Sequence, residues 1–156
     1  MASQLEEVRR HNPRSTASVA GHPIHPMLIG FPIAFFVATL ACDIAFAITG
    51  QGGWFGATPW LLGAGLIVAG LAAITGLIDV IGDAHIRSLN TVWWHAGGNV
   101  VAVVIEIANF FVRSAEGSRA VLPTGIVLSA VVVCILLFTG WKGWEMVYRK
   151  HVGVAD

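Results

Sequence analysis

The stretch Met27 to Thr49, MLIGFPIAFFVATLACDIAFAIT, holds one charged residue, Asp43, in twenty-three positions. A helix rises about 1.5 Å per residue, so this run covers the roughly 30 Å hydrocarbon core of a bilayer. Three more apolar runs follow it: Trp60 to Ile81, Trp93 to Val112, and Val121 to Phe138, which continues toward Trp144. The composition agrees, with 156 residues of which 56% are hydrophobic and 12% charged, and a mean hydropathy of +0.75. Soluble domains carry roughly 25% charged residues. The pattern predicts an all-α membrane protein, an antiparallel up-down bundle of four transmembrane helices over about 27–49, 60–81, 93–112 and 121–144. Residues 22–156 form this domain, and the polar residues 1–21 form a cytoplasmic tail. No internal repeat is read, although both halves are helical hairpins.

Ala45-Phe46-Ala47 mimics a signal-peptidase site, but the apolar run is longer than the ~7–15 residues of a signal core, so the helix is expected to be retained. Zero formal charge gives no footing for nucleic acid. Cys42 and Cys134 sit in separate runs and form neither a CxxC site nor a disulfide framework. Orientation follows from the basic residues. With four crossings, Arg9, Arg10, Arg14, Arg87, Lys142, Arg149 and Lys150 share one side, and Arg113 and Arg119 the other. The positive-inside rule places the first side, with both termini, in the cytoplasm. Trp54 and Trp60 then mark the outer interface, and Trp93, Trp94, Trp141, Trp144 and Tyr148 the inner one.

Chemistry gathers at two depths. At the lip of the first span, Gly21-His22-Pro23-Ile24-His25-Pro26 sets two imidazoles beside lipid, and all six histidines fall on the cytoplasmic side. In the third span His95, Asn99, Glu106, Asn109 and Arg113 recur at intervals of three, four and seven, a stripe that must face the bundle interior or a wet cavity. An inner constellation of His22, His25, Asp79, Asp83, His85 and His95 is expected, with Arg87 nearby. Two histidines from facing helices, His25 and His95, would serve as ligands of a b-type haem, with Arg87 answering a propionate. A zinc or iron site of His22, His25, His95 and Asp79 or Asp83 is the alternative. A plain structural role, with histidines bonded to headgroups or acids and no cofactor at all, stands beside both. Toward the outer side Asp43 and Glu106 are expected to meet, sharing a proton or a hydrogen bond with Asn109. They are either proton sites or a structural pair. The fourth span, poor in polar groups, reads as a packing helix.

His22-Pro23-Ile24-His25-Pro26-Met27-Leu28, followed by Phe31-Pro32-Ile33 and Asp43, resembles the bacterial membrane "domain of unknown function 2231" family. Gly76-Leu77-Ile78-Asp79, His95 with Asn99, and Val147-Tyr148-Arg149 with Val152-Gly153-Val154 fit the same pattern. The resemblance implies a small four-helix protein of the bacterial inner membrane without an established activity. Relatives joined to cytochrome-c-like or Rieske-like domains imply redox surroundings and a membrane complex or cytochrome as partner. The chain carries no catalytic signature: HExxH, CxxCH and paired Glu-x-x-His are missing. The reading is a haem-binding electron-transfer or accessory subunit. The alternatives are a non-redox assembly subunit and a small proton-coupled transporter. Glycine-lined faces permit a homo-oligomer.

Overall fold

The computed structural model describes residues 13–154. Its apolar sequence is helical almost throughout: α1 (Ile24–Leu28), α2 (Gly30–Thr49), α3 (Gly52–Gly82), the short α4 (Ala84–Ser88), α5 (Asn90–Glu116) and α6 (Ile126–Lys150). By length and composition three stretches are able to cross a membrane: Ile24–Thr49, Gly52–Gly82 and Asn90–Lys150. The protein is an all-α membrane protein, in contact with lipid. The last stretch, 61 residues long, is not one rod. Gly117 lies at φ 64° and Leu122 at φ −121°, ψ 126°, so helical geometry is left twice between α5 and α6.

Prolines explain where the helices differ from the apolar runs. α3 begins at Gly52, well before Trp60, and contains Pro59. Pro59 has no N–H for the Phe55 carbonyl four residues back. The Thr58 hydroxyl donates to that carbonyl instead, at 2.9 Å, and the helix continues. Pro32 likewise cannot bond the Leu28 carbonyl, which separates α1 from α2. The flanking bonds, Ile29 N to His25 O and Ile33 N to Ile29 O, are 3.2 and 3.4 Å. α6 starts only at Ile126, after the extended Leu122, the residue that precedes Pro123, interrupts the helix.

α2 packs on α3 and α5 on α6, and the two pairs meet through α2 against α6 and α3 against α5. A dry layer of Phe36, Leu62, Ala69, Ala102 and Val132 fills the centre. The exterior is apolar: Ile67, Leu71, Leu77, Val104, Phe111 and Leu137 are exposed, while Asp43, Glu106, Asn109 and Arg113 are buried. Burying polar groups and exposing aliphatic ones suits lipid as the surrounding solvent. An apolar groove of about 890 Å³ opens outward between α5 and α6, walled by Trp93, Trp94, Val101, Val131 and Phe138.

The two helix pairs place a histidine and a buried charge at matching positions, each pair being one repeat of that arrangement. Asp43 follows His25 by eighteen residues, and Arg113 follows His95 by eighteen. His25 bonds the Ala72 carbonyl on α3, and His95 the Thr139 carbonyl on α6. In both pairs a glycine one turn beyond that carbonyl makes room for the ring. A Cβ on Gly76 would lie 3.0 Å from His25 Nδ1, and one on Gly143 would lie 3.3 Å from His95 Cε1.

Residues 13–23, which include the described part of the polar tail, form a strap across the histidine end. Ser18–Val19 pairs antiparallel with His22–Pro23 around Ala20 and Gly21, whose φ values of 49° and 80° make the mirror-image turn that hairpins favour. Asp79 anchors the strap: its Oδ1 accepts from Ala17 N at 2.7 Å and Ser15 Oγ at 2.9 Å. Gly153 N donates to the Pro13 carbonyl at 2.9 Å and ties down the C-terminal end. Hydrogen bonds to a charged acceptor contribute roughly 1.5–3 kcal/mol each. Asp79→Ala is therefore expected to release the strap, seen as faster proteolytic cleavage within residues 13–23 while the helical circular dichroism signal is kept. The remainder of the expected tail, including His11, Arg9 and Arg10, lies outside the described residues.

Candidate functional site

Two polar clusters occupy the interface between the helix pairs, one at each end, separated by the dry layer. The first is the histidine pair. His25 Nδ1 lies 2.7 Å from the Ala72 carbonyl, and His95 Nδ1 lies 2.9 Å from the Thr139 carbonyl. A carbonyl only accepts, so each Nδ1 carries the hydrogen, and in a neutral imidazole Nε2 then keeps a free lone pair. The ring centroids are 6.1 Å apart and the planes cross at 81°. Asn99 braces this end by donating to the His95 carbonyl at 2.8 Å and accepting from Thr139 Oγ1 at 3.3 Å.

The other members of the expected inner constellation are engaged elsewhere. His22 is exposed and bonds the Ala20 carbonyl at 3.0 Å. Asp79 holds the strap. Asp83 caps α4, accepting from His85 N at 2.7 Å and Ile86 N at 3.2 Å. Arg87 donates to the carbonyls of Val80 and Ile81 at the end of α3, at 3.4 and 3.0 Å. His85 is exposed. Among the described residues, no three His, Cys, Asp or Glu side chains converge on one point. The structure brings His25 and His95 together and leaves His22, Asp79, Asp83 and Arg87 apart from them.

The second cluster is a buried lock. Arg113 grips Asp43 in a fork, with Nη1 to Oδ1 and Nη2 to Oδ2 both at 2.7 Å and both side chains fully buried. The planar guanidinium matches a carboxylate in this bidentate way, which a lysine cannot do. Arg113 Nε donates to Asn109 Oδ1 at 2.8 Å, and Nη1 also donates to Thr58 Oγ1 at 3.1 Å. Ser129 on α6 donates to Asp43 Oδ2 at 2.8 Å and accepts from Asn109 Nδ2 and Arg113 Nη2 at 3.2 and 3.3 Å. All four long helices contribute: Asp43 from α2, Thr58 from α3, Asn109 and Arg113 from α5, Ser129 from α6.

Asp43 and Glu106 do lie in one network, joined through Asn109, whose Nδ2 donates to Glu106 Oε2 at 2.8 Å. The partner that Asp43 contacts directly is Arg113. Arg113, which the orientation count places on the outer side, is 1% exposed. Its membership of the polar stripe was the usable signal. Ser129 was missed because a single hydroxyl in an apolar run carries no pattern, and Thr58 because it precedes the run that begins at Trp60; the α6 helix is more than packing.

A family model described as "Predicted membrane protein (DUF2231)" matches residues 21–156. No curated protein and no solved structure matches the chain.

Proposed function

We propose, from the premise that the chain belongs to the predicted membrane protein family DUF2231, that it is an antiparallel four-helix protein of the bacterial inner membrane. In this reading its His25–His95 pair binds a b-type haem, and it acts as an electron-transfer or accessory subunit with both termini in the cytoplasm. Fourfold crossing is supported by arithmetic. The 61 residues of Asn90–Lys150 would be about 90 Å long as a single helix, against a core of roughly 30 Å. The breaks at Gly117 and Leu122 allow α6 to return alongside α5.

The two free Nε2 atoms carry the ligand reading. The ring centroids lie 6.1 Å apart, so His25 and His95 are close enough that both would be able to hold one group. Each Nδ1–H bond to a backbone carbonyl is also the support that orients a ligating histidine. A porphyrin brings four nitrogens and needs two from the protein, whereas zinc in a structural site takes four protein ligands. A set of two histidines therefore favours haem over zinc. When bound, the group supplies one-electron chemistry. His25 and His95 would hold it, at the end that the strap crosses.

Purified protein is expected to show a reducible Soret band that is lost in His25→Ala and in His95→Ala. A colourless preparation after expression with ample haem would overturn this reading. The structural alternative has its own support, because the Nδ1–carbonyl bonds already clamp α1 to α3 and α5 to α6. On that reading both variants lose thermal stability and no spectrum changes. A transporter is less well supported, since Phe36, Leu62, Ala102 and Val132 leave a dry layer across the interior.

A further inference from the structure

Glu106 is the buried ionisable group that neither cluster explains. Its side chain is fully buried, Oε2 accepts from Asn109 Nδ2 at 2.8 Å, and Oε1 has no hydrogen-bond partner in the protein. The charged groups facing it are Asp43 from α2 and Arg113 from its own helix. α3 and α6 present only the hydroxyls of Thr58 and Ser129 to this network. Arg113 commits each of its nitrogens to Asp43, Asn109, Thr58 and Ser129, with none to Glu106. Asp43 accepts three hydrogen bonds and cancels the charge of Arg113. An ionised Glu106 would then be a second buried anion supported by one amide N–H, an arrangement that low-dielectric surroundings strongly disfavour.

We propose that Glu106 is a proton-holding site: its carboxyl is neutral, with the proton on Oε1, the oxygen that accepts no hydrogen bond from the protein. Two observations point the same way: protonation leaves the network with no net charge, and Asn109 already donates to Oε2, which leaves Oε1 as the oxygen that carries the proton. Asn109 bridges Glu106 to Arg113, so gain or loss of this proton changes the net charge of the lock that joins α2, α3, α5 and α6. The corresponding position in the first repeat is Phe36, eleven residues after His25 as Glu106 is eleven after His95. The proton site thus belongs to one repeat only.

The test is infrared spectroscopy of the full chain in lipid at neutral pH. Wild-type protein is expected to show a protonated carboxylic-acid C=O band that shifts in D₂O and shifts again when glutamate alone carries carbon-13. Glu106→Gln, which keeps size and neutrality, is expected to lose the band, and Glu145→Gln to keep it. Absence of a carbon-13-sensitive protonated band from wild-type protein would overturn the proposal, and this arm needs no variant to fold. Persistence of the band in Glu106→Gln would overturn it as well. Neither result depends on whether haem binds.

Discussion

Arg113→Ala is expected to destabilise the protein by about 3–5 kcal/mol, the cost of removing one partner from a buried ion pair. The loss exceeds that of the contacts themselves. Asp43 would remain as a buried anion with Ser129 as its only donor, and Asn109 Oδ1 would lose the donor it now has. Arg113→Lys is expected to recover little, because an ammonium cannot span both Asp43 oxygens at 2.7 Å. The double variant Asp43→Leu with Arg113→Leu removes both charges. It is expected to be more stable than the sum of the two single changes, since no unpaired ion remains. Denaturant unfolding in micelles, followed by tryptophan fluorescence, gives these values. Wild-type stability in Arg113→Ala would show that the lock does not hold the helix pairs together.

Gly125→Ala carries the second large effect, and its sign is decided by contact rather than by propensity. Gly125 has helical dihedrals of φ −61° and ψ −47°. On propensity alone, alanine would stabilise a helical position by about 1 kcal/mol. A Cβ at Gly125, however, would lie 2.6 Å from Arg113 Nη2 and 2.8 Å from the Ala120 carbonyl oxygen. The backbone there is pinned by Ala120 and Val121, both buried, and Arg113 cannot retreat without leaving Asp43. Overpacking costs about 1–3 kcal/mol, and the lock shares that displacement. Gly140→Ala is the matching control: nothing lies within 4 Å of its added Cβ, so unchanged or slightly raised stability is expected. Equal thermal midpoints for the two variants would show that α6 adjusts at Gly125 without disturbing Arg113.

Legibility in the sequence varied with the kind of signal. Apolar length identified the membrane helices, because each run had to exceed the thickness of hydrocarbon. Helix ends were less legible. The apolar run begins at Trp60, whereas α3 begins at Gly52 and continues through Pro59, where the Thr58 hydroxyl bonds the Phe55 carbonyl. The polar stripe of α5 was legible from periodicity and includes Arg113. Its partner was not, since charge counting treats every arginine near a helix end as a loop residue. The repeat stayed hidden because the related positions differ in chemistry: Asp43 answers Arg113, Phe36 answers Glu106, and Thr39 answers Asn109.

By itself the sequence determined the membrane class and the inward polar stripe of α5, since solvent and helical period act on every residue of a run alike. The tertiary structure alone decided which charges neutralise each other. Asp79 and Asp83 went to the strap and to α4, Arg113 went to Asp43, and Glu106 kept an oxygen without a partner. The physical reason is that a hydrogen bond or ion pair in a dry interior depends on distances of about 3 Å between residues as far apart in sequence as Asp43 and Arg113. Only helix packing sets those distances.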